Sequence, residues 1–183
     1  MQTTLTHKTS SREVEIEYLT SEINRKIILV QKEKFNKLCS SCRCFNNKYS
    51  CPPYSPSFHT VANNRNGMQV ICFKMPLSYF THLSPYHAQR AANAILKGLL
   101  DRKLLELRSE GAFVIGSGSC KACKPCCATL KLPCKRPDRK ITSLESMGVN
   151  VQKAVHDCFG FDLQWRSNGN IPQYICAVGA VLF

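Results

Sequence analysis

Nine of the 12 cysteines in this chain fall into two short stretches far apart in sequence. The first reads Cys39-x2-Cys42-x-Cys44-x6-Cys51 and runs into Pro52-Pro53. The second reads Cys120-x2-Cys123-x2-Cys126-Cys127-x6-Cys134. Stretches this polar and this rich in proline and glycine do not hold themselves together by a hydrophobic core. Something must tie their sulfurs, either S–S bridges or a metal.

Bridges are disfavoured. Disulfide frameworks belong to short, secreted chains with little core of their own. This chain has 183 residues, 44% of them hydrophobic, enough for one ordinary domain. The opening MQTTLTHKTSSREVE is polar and lacks the apolar stretch of a secretory signal. The longest apolar run, Ile175 to Phe183, is too short to span a bilayer. The expectation is a cytoplasmic protein with no membrane association, in a compartment where thiols stay reduced and crowded cysteines bind metal.

Spacing bears on which metal. Cysteines in C-x2-C-x2-C wrap successive corners of an iron–sulfur cubane, and bacterial ferredoxins close that run with a later cysteine beside a proline. Cys120, Cys123 and Cys126 match the opening, and Cys134 can supply the fourth thiolate. Lys135 and Arg136 intervene there before Pro137, whereas the first stretch keeps the pair as Cys51-Pro52. The expected ligands are therefore Cys39, Cys42, Cys44 and Cys51 for one [4Fe-4S] cluster, and Cys120, Cys123, Cys126 and Cys134 for another. Cys127 is left over. Zinc is the alternative, but a zinc ribbon needs two C-x2-C knuckles around a hairpin, and here about eighty residues separate them. Cys72, Cys158 and Cys176 lie in apolar settings, where cysteine behaves as a small hydrophobe.

Lys and Arg number 25 against 12 Asp and Glu, a formal charge of +13. Four thiolates around a [4Fe-4S]2+ core sum to −2, so two such sites leave +9 (13 − 4). A basic surface favours an acidic redox partner protein or an anionic substrate, with nucleic acid as a further candidate. Lys121, Lys124, Lys131, Lys135, Arg136, Arg139 and Lys140 surround the second stretch, and Tyr49, Tyr54 and Phe58 flank the first, where they are expected to shield it from water. Walker A, G-x-G-x-x-G, H-E-x-x-H and G-x-S-x-G motifs are absent from the sequence.

Around these stretches the pattern is that of an α+β domain: a small mixed sheet with helices and two inserted metal-binding loops. Residues 1–12 read as a flexible tail, and residues 13–183 as a single metal-binding domain. Val14, Ile16 and Tyr18 alternate with glutamates as in a half-buried strand. Ile23, Ile27, Val30 and Phe35 suggest an amphipathic helix after Ser21. Met68 to Met75 reads as a buried strand. A helix is expected from Ser84, an N-cap before Pro85, to Glu110, with Gly111 ending it. Ala112 to Gly116 reads as a short strand. Thr142 and Glu145 have capping-box spacing. Asn150 can cap a helix that ends at Gly160, and Phe161 to Trp165 and Tyr174 to Phe183 read as strands joined through the hairpin signal Asn168-Gly169.

Residues 39–53, with C-x2-C and CPP, and residues 116–148, GSGSCKACKPCCATLKLPCKRPDRKITSLESMG, resemble the two signatures of an uncharacterised prokaryotic family of predicted metal-binding proteins, domain of unknown function number 2284. The resemblance extends through most of the chain from about residue 12. Its second signature is the more specific, with a glycine–cysteine opening, a cysteine–arginine–proline close and a following S-x-E-x-x-G, here Ser143 to Gly148. The resemblance implies metal binding through the cysteines and supplies no reaction. Three functions remain open: electron transfer or redox and sulfur chemistry on two clusters, a zinc-stabilised nucleic-acid-binding module, and a sulfur-handling enzyme carrying persulfide on Cys127.

Overall fold

The computed structural model describes residues 1–9, 12–166 and 170–183. Among the described residues, six strands form one mixed sheet, accompanied by four α-helices. In chain order these are β1 (Gln2–Lys8), β2 (Glu13–Ile23), α1 (Lys32–Cys39), α2 (Phe58–Ala62), β3 (Met68–Pro76), α3 (Pro85–Ser109), β4 (Phe113–Gly116), β5 (Thr142–Ser143), α4 (Val151–Phe159) and β6 (Tyr174–Leu182). The sheet order is β1-β2-β3-β6-β4-β5, antiparallel except for the β4–β5 pair. Helix α3 lies on one face of the sheet and α2 and α4 on the other, and the fourth helix, α1, sits at the Glu145–Met147 turn. The expected α+β class holds.

The central strands are apolar on both faces because both faces are covered. In β3, Ile71, Phe73 and Met75 pack toward α3, while Met68, Val70 and Cys72 pack toward α2 and α4. Alternate side chains of β6 divide in the same way. Helix α3 buries Ala88, Ala92, Leu96, Leu100 and Leu104 as one stripe at helical spacing. Its Ser84 hydroxyl accepts from the His87 N–H, and Gly111 beyond its end has φ +95. Gly179 in β6 lets this helix sit close. A Cβ there would stand 2.8 Å from the Ile115 carbonyl and 3.0 Å from a Leu100 methyl.

Several expectations are corrected. The flexible tail expected over residues 1–12 contains a strand, Gln2–Lys8. Strand β1 pairs with β2 from Gln2↔Leu19 to Lys8↔Glu13. It is exposed nearly throughout, so it has no apolar alternation to betray it. Its backbone ladder and β-branched threonines hold it at the sheet edge. The stretch after Ser21 is not one helix. Strand β2 continues to Ile23 against β3, a short 3-10 turn follows, and Val30 pairs with Val149 before α1 begins at Lys32. Residues Phe161 to Trp165 form no strand. Thr142 caps nothing, because it lies in β5. Ser143 takes that part, accepting from the Ser146 N–H at 3.2 Å. The Asn168-Gly169 signal lies outside the described residues.

Candidate metal centre

The first cysteine loop grows out of the end of α1, which carries Cys39. It is a chain of tight turns. The Cys42 N–H donates to the Cys39 carbonyl (2.9 Å), Phe45 to Cys42 (2.9 Å), Asn47 to Cys44 (3.2 Å), Cys51 to Lys48 (3.0 Å) and Tyr54 to Cys51 (3.0 Å). The far end is pinned to the body of the protein. The Lys32 ammonium donates to the Ser55 carbonyl and hydroxyl, the Pro56 carbonyl and the Ser146 carbonyl. The buried Ser55 hydroxyl donates to Ser146 as well, at 2.7 Å.

The S-x-E-x-x-G segment is the seat of this arrangement. Ser143 and Ser146 bond each other, leaving the Ser146 carbonyl to receive Lys32 and Ser55. Gly148 sits at φ +92, and a Cβ there would fall 2.7 Å from the Lys32 Cα. Glycine is needed for both reasons.

The second loop leaves the end of β4. The Lys97 ammonium holds its first residue through the Ser117 carbonyl. The Arg108 guanidinium holds its exit through the Asp138 and Lys140 carbonyls. Between these anchors it leans on the first loop. Lys48 donates to the Cys120 carbonyl at 2.7 Å, the Cys120 N–H donates to the Ser50 hydroxyl at 3.0 Å, and the Tyr49 hydroxyl donates to the Leu132 carbonyl at 2.8 Å.

The sulfurs are grouped by loop. Burial raises the Cys51 thiol, and Cys44, Cys42 and Cys39 raise it further, against a hydrogen bond from Ser50 that lowers it. Cys39 is raised by burial, then by Cys42 and Glu145, with Lys32 opposing. In the second loop desolvation raises Cys123, followed by Cys127, Cys134, Cys120 and Cys126. Each loop thus collects thiols whose ionisation opposes that of its neighbours, an arrangement that a bound cation relieves. Backbone N–H groups already point at sulfur: Cys44 to the Cys42 Sγ (3.5 Å) and Ala122 to the Cys120 Sγ (3.4 Å). This donor set suits a soft, thiophilic metal. Among the described residues, no three cysteine, histidine, aspartate or glutamate side chains stand together as a group that could hold a metal ion.

Every cysteine is a free thiol, and Cys39, Cys42 and Cys44 act on Cys51 as Cys120, Cys126, Cys127 and Cys134 act on Cys123. Cys127 is not apart from its group. It is buried, and it acts on Cys123 more strongly than Cys126 does. The doublet Cys126-Cys127 was the available signal, and the C-x2-C-x2-C frame masked it. The flanking aromatics divide. Phe58 is core, at 1% exposure. Tyr54 pairs edge-on with Tyr49, whose own environment includes Cys126, Cys127 and Cys134 of the second loop. His59 is exposed on α2, and His87 and His156 bond Ser84 and Asp162. Glu145 neither caps a helix nor pairs with a base of the second loop. Its Oε2 is buried without a partner. Cys72 is fully buried, and the neighbouring Cys176 thiol, together with burial, raises it. Among the described residues, no helix is long and apolar enough to cross a membrane.

A family model described as "Predicted metal-binding protein (DUF2284)" matches residues 21–183. No curated protein and no solved structure matches the chain.

Proposed function

Because the chain belongs to the family of predicted metal-binding proteins (DUF2284), we propose that its two cysteine loops hold two [4Fe-4S] clusters and that it works in electron transfer or in redox or sulfur chemistry. The observation that carries this reading is the docking of the two cysteine-rich loops against each other through Ser50, Lys48 and Tyr49. Bound clusters would accept and release single electrons at each loop.

The chain's own residues then do three things. Cys39, Cys42, Cys44 and Cys51 supply one set of thiolates, and Cys120, Cys123, Cys126 and Cys134 the other, with Cys127 beside them. The N–H groups of Cys44 and Ala122 stabilise charge on sulfur. Ser50 joins the loops, its hydroxyl 3.8 Å from the Cys51 Sγ while it accepts from the Cys120 N–H.

Lys121, Lys124, Lys131, Lys135, Arg136 and Arg139 are exposed around the second loop and form no ion pairs among the described residues. We assign this face to an acidic redox partner. Zinc in place of iron would make the loops structural and the basic face a nucleic-acid surface. Anaerobic purification with iron, labile sulfide and visible absorption measured together separates the readings. The expected result is a brown protein with roughly eight iron and eight sulfide per chain. A colourless protein with stoichiometric zinc and no sulfide removes the iron–sulfur reading.

A further inference from the structure

Large apolar side chains stand in water where the two cysteine loops meet. Leu130 is 63% exposed, Leu132 49% and Tyr54 42%. The leucines belong to the second loop and the tyrosine to the first. They form a seam between the loops. The Tyr49 ring stands 5.1 Å from the Tyr54 ring, edge-on, and the Tyr49 hydroxyl donates to the Leu132 carbonyl at 2.8 Å. Pro53 and Pro133, next to Tyr54 and Leu132 in the chain, are exposed as well.

The turn that carries the leucines is held in an uncommon shape. Lys131 lies between them at φ +54, a left-handed conformation that a lysine rarely takes. The Lys131 N–H donates to the Ala128 carbonyl at 3.2 Å and the Leu132 N–H to the Cys127 carbonyl at 3.1 Å, which fixes the bend. The bend leaves both flanking leucines in water, and backbone strain of this kind clusters at functional sites.

Charge selects the occupant. Residues 39–54 hold no carboxylate, and residues 117–140 hold only Asp138. Lys124, Lys131, Lys135 and Arg136 are exposed and join no ion pair among the described residues. An apolar centre inside a charged rim is the anatomy of a protein–protein contact. Leucine and proline offer bases no ring to stack on, so the seam suits a protein better than a nucleic acid. The rim repels a second copy of this chain, whose formal charge is +13.

We infer that this seam is the docking centre for an acidic one-electron carrier protein, with Leu130, Leu132 and Tyr54 at the middle of the contact and Lys124, Lys131, Lys135 and Arg136 around it. The inference rests on the iron–sulfur reading and adds the place of contact, which spans both loops. A patch this small belongs to a brief encounter, and the unpaired cations speed it.

Anaerobically isolated protein is titrated by calorimetry with two acidic carriers, a flavodoxin and a plant-type [2Fe-2S] ferredoxin, at about 20 mM salt. At least one should bind one to one with a micromolar Kd that weakens about tenfold at about 200 mM salt. The double variant Leu130→Ser/Leu132→Ser should weaken that carrier about tenfold or more, and Tyr54→Ser about threefold. Leu5→Ser, at an exposed leucine of β1 on the opposite edge of the sheet, should change nothing. Circular dichroism and metal content check that the variants fold. If the double variant does not, Tyr54→Ser decides alone. The inference is overturned if neither carrier binds, if the folded seam variants bind like the parent, or if Leu5→Ser weakens binding as much as they do. A short oligothymidylate that binds more tightly than both carriers, or a dimer in sedimentation that the leucine variant dissolves, overturns the assignment to a carrier protein. Iron and sulfide are assayed on the same sample. Their presence without a carrier complex sinks the docking site and leaves the iron–sulfur reading standing, whereas zinc without iron sinks that reading and this inference with it.

Discussion

The two cysteine loops are built on opposite plans. The first has the irregular motif, yet it supports itself, with consecutive turns closed by backbone hydrogen bonds and its far end stitched to Ser146. The second has the regular C-x2-C-x2-C motif, yet among the described residues 117–125 make no backbone-to-backbone hydrogen bond. Its shape there is borrowed from Ser50 and Lys48 of the first loop. Regular spacing of ligands is thus no sign of a rigid scaffold. A loop that is held by its metal and by a neighbour needs fewer bonds of its own.

Metal content tests this asymmetry with the largest effect. Cys123→Ser should empty the second loop alone and remove about half of the bound metal, since its neighbour keeps its own turns. Cys51→Ser should lower metal in both loops, because it unseats the residue beside Ser50. Elemental analysis of the two anaerobically isolated variants distinguishes the cases. Equal losses from both would break the comparison.

Stability gives the next largest effect. Lys32→Met leaves the Ser146 carbonyl and the Ser55 and Pro56 acceptors without their half-buried ammonium, and should cost about 2–3 kcal/mol. Lys97→Met loosens the base of the second loop by losing Ser117 and a partly exposed pair with Asp101, and should cost about 1 kcal/mol. Denaturant unfolding of both variants measures the difference. A larger loss from Lys97→Met would show that the second loop is the better anchored of the two.

These contrasts also mark what the sequence could disclose. Helix α3 was legible to its caps, because Ser84, Pro85, the apolar stripe and Gly111 are all local signals. Strands β3 and β6 were legible because strands buried on both faces are continuously apolar. Strand β1 was hidden, being almost entirely polar and exposed and held mainly by its backbone ladder. The cysteines could be gathered into two sets from spacing, but the dependence of one loop on the other could not. It rests on Ser50 meeting the Cys120 N–H across 70 residues, and a serine carries no sign of such a partner. Glu145 looked like a cap from its distance to Thr142. The burial of its Oε2 follows from the turn of Gly148 against Lys32, which is a tertiary contact.

Ser50→Ala is a smaller and sharper probe. The Ser50 side chain is 1% exposed, so its loss leaves the Cys120 N–H without an acceptor and admits no water easily. The cost should be about 1–2 kcal/mol. Hydrogen exchange should accelerate at the Cys120 amide while the turns of the first loop stay protected. Uniform acceleration across both loops would mean that Ser50 holds the first loop together rather than lending support to the second.

The smallest effect concerns the segment on which the first loop is seated. Burial raises the Glu145 carboxyl, so its charged form is disfavoured in the folded protein. Below the unfolded carboxyl value both states are protonated and the group is neutral in its effect. As pH rises the unfolded chain ionises first, and stability falls until the folded carboxyl has ionised as well. Above that point the penalty is constant. Glu145→Gln removes the ionisation and keeps the shape. It should raise the melting temperature modestly at pH 8 and leave it unchanged at pH 4, measured against the parent in matched buffers. A gain of equal size at both pH values would mean that the variant acts through packing, and that the carboxyl is ionised in the fold as freely as in the open chain.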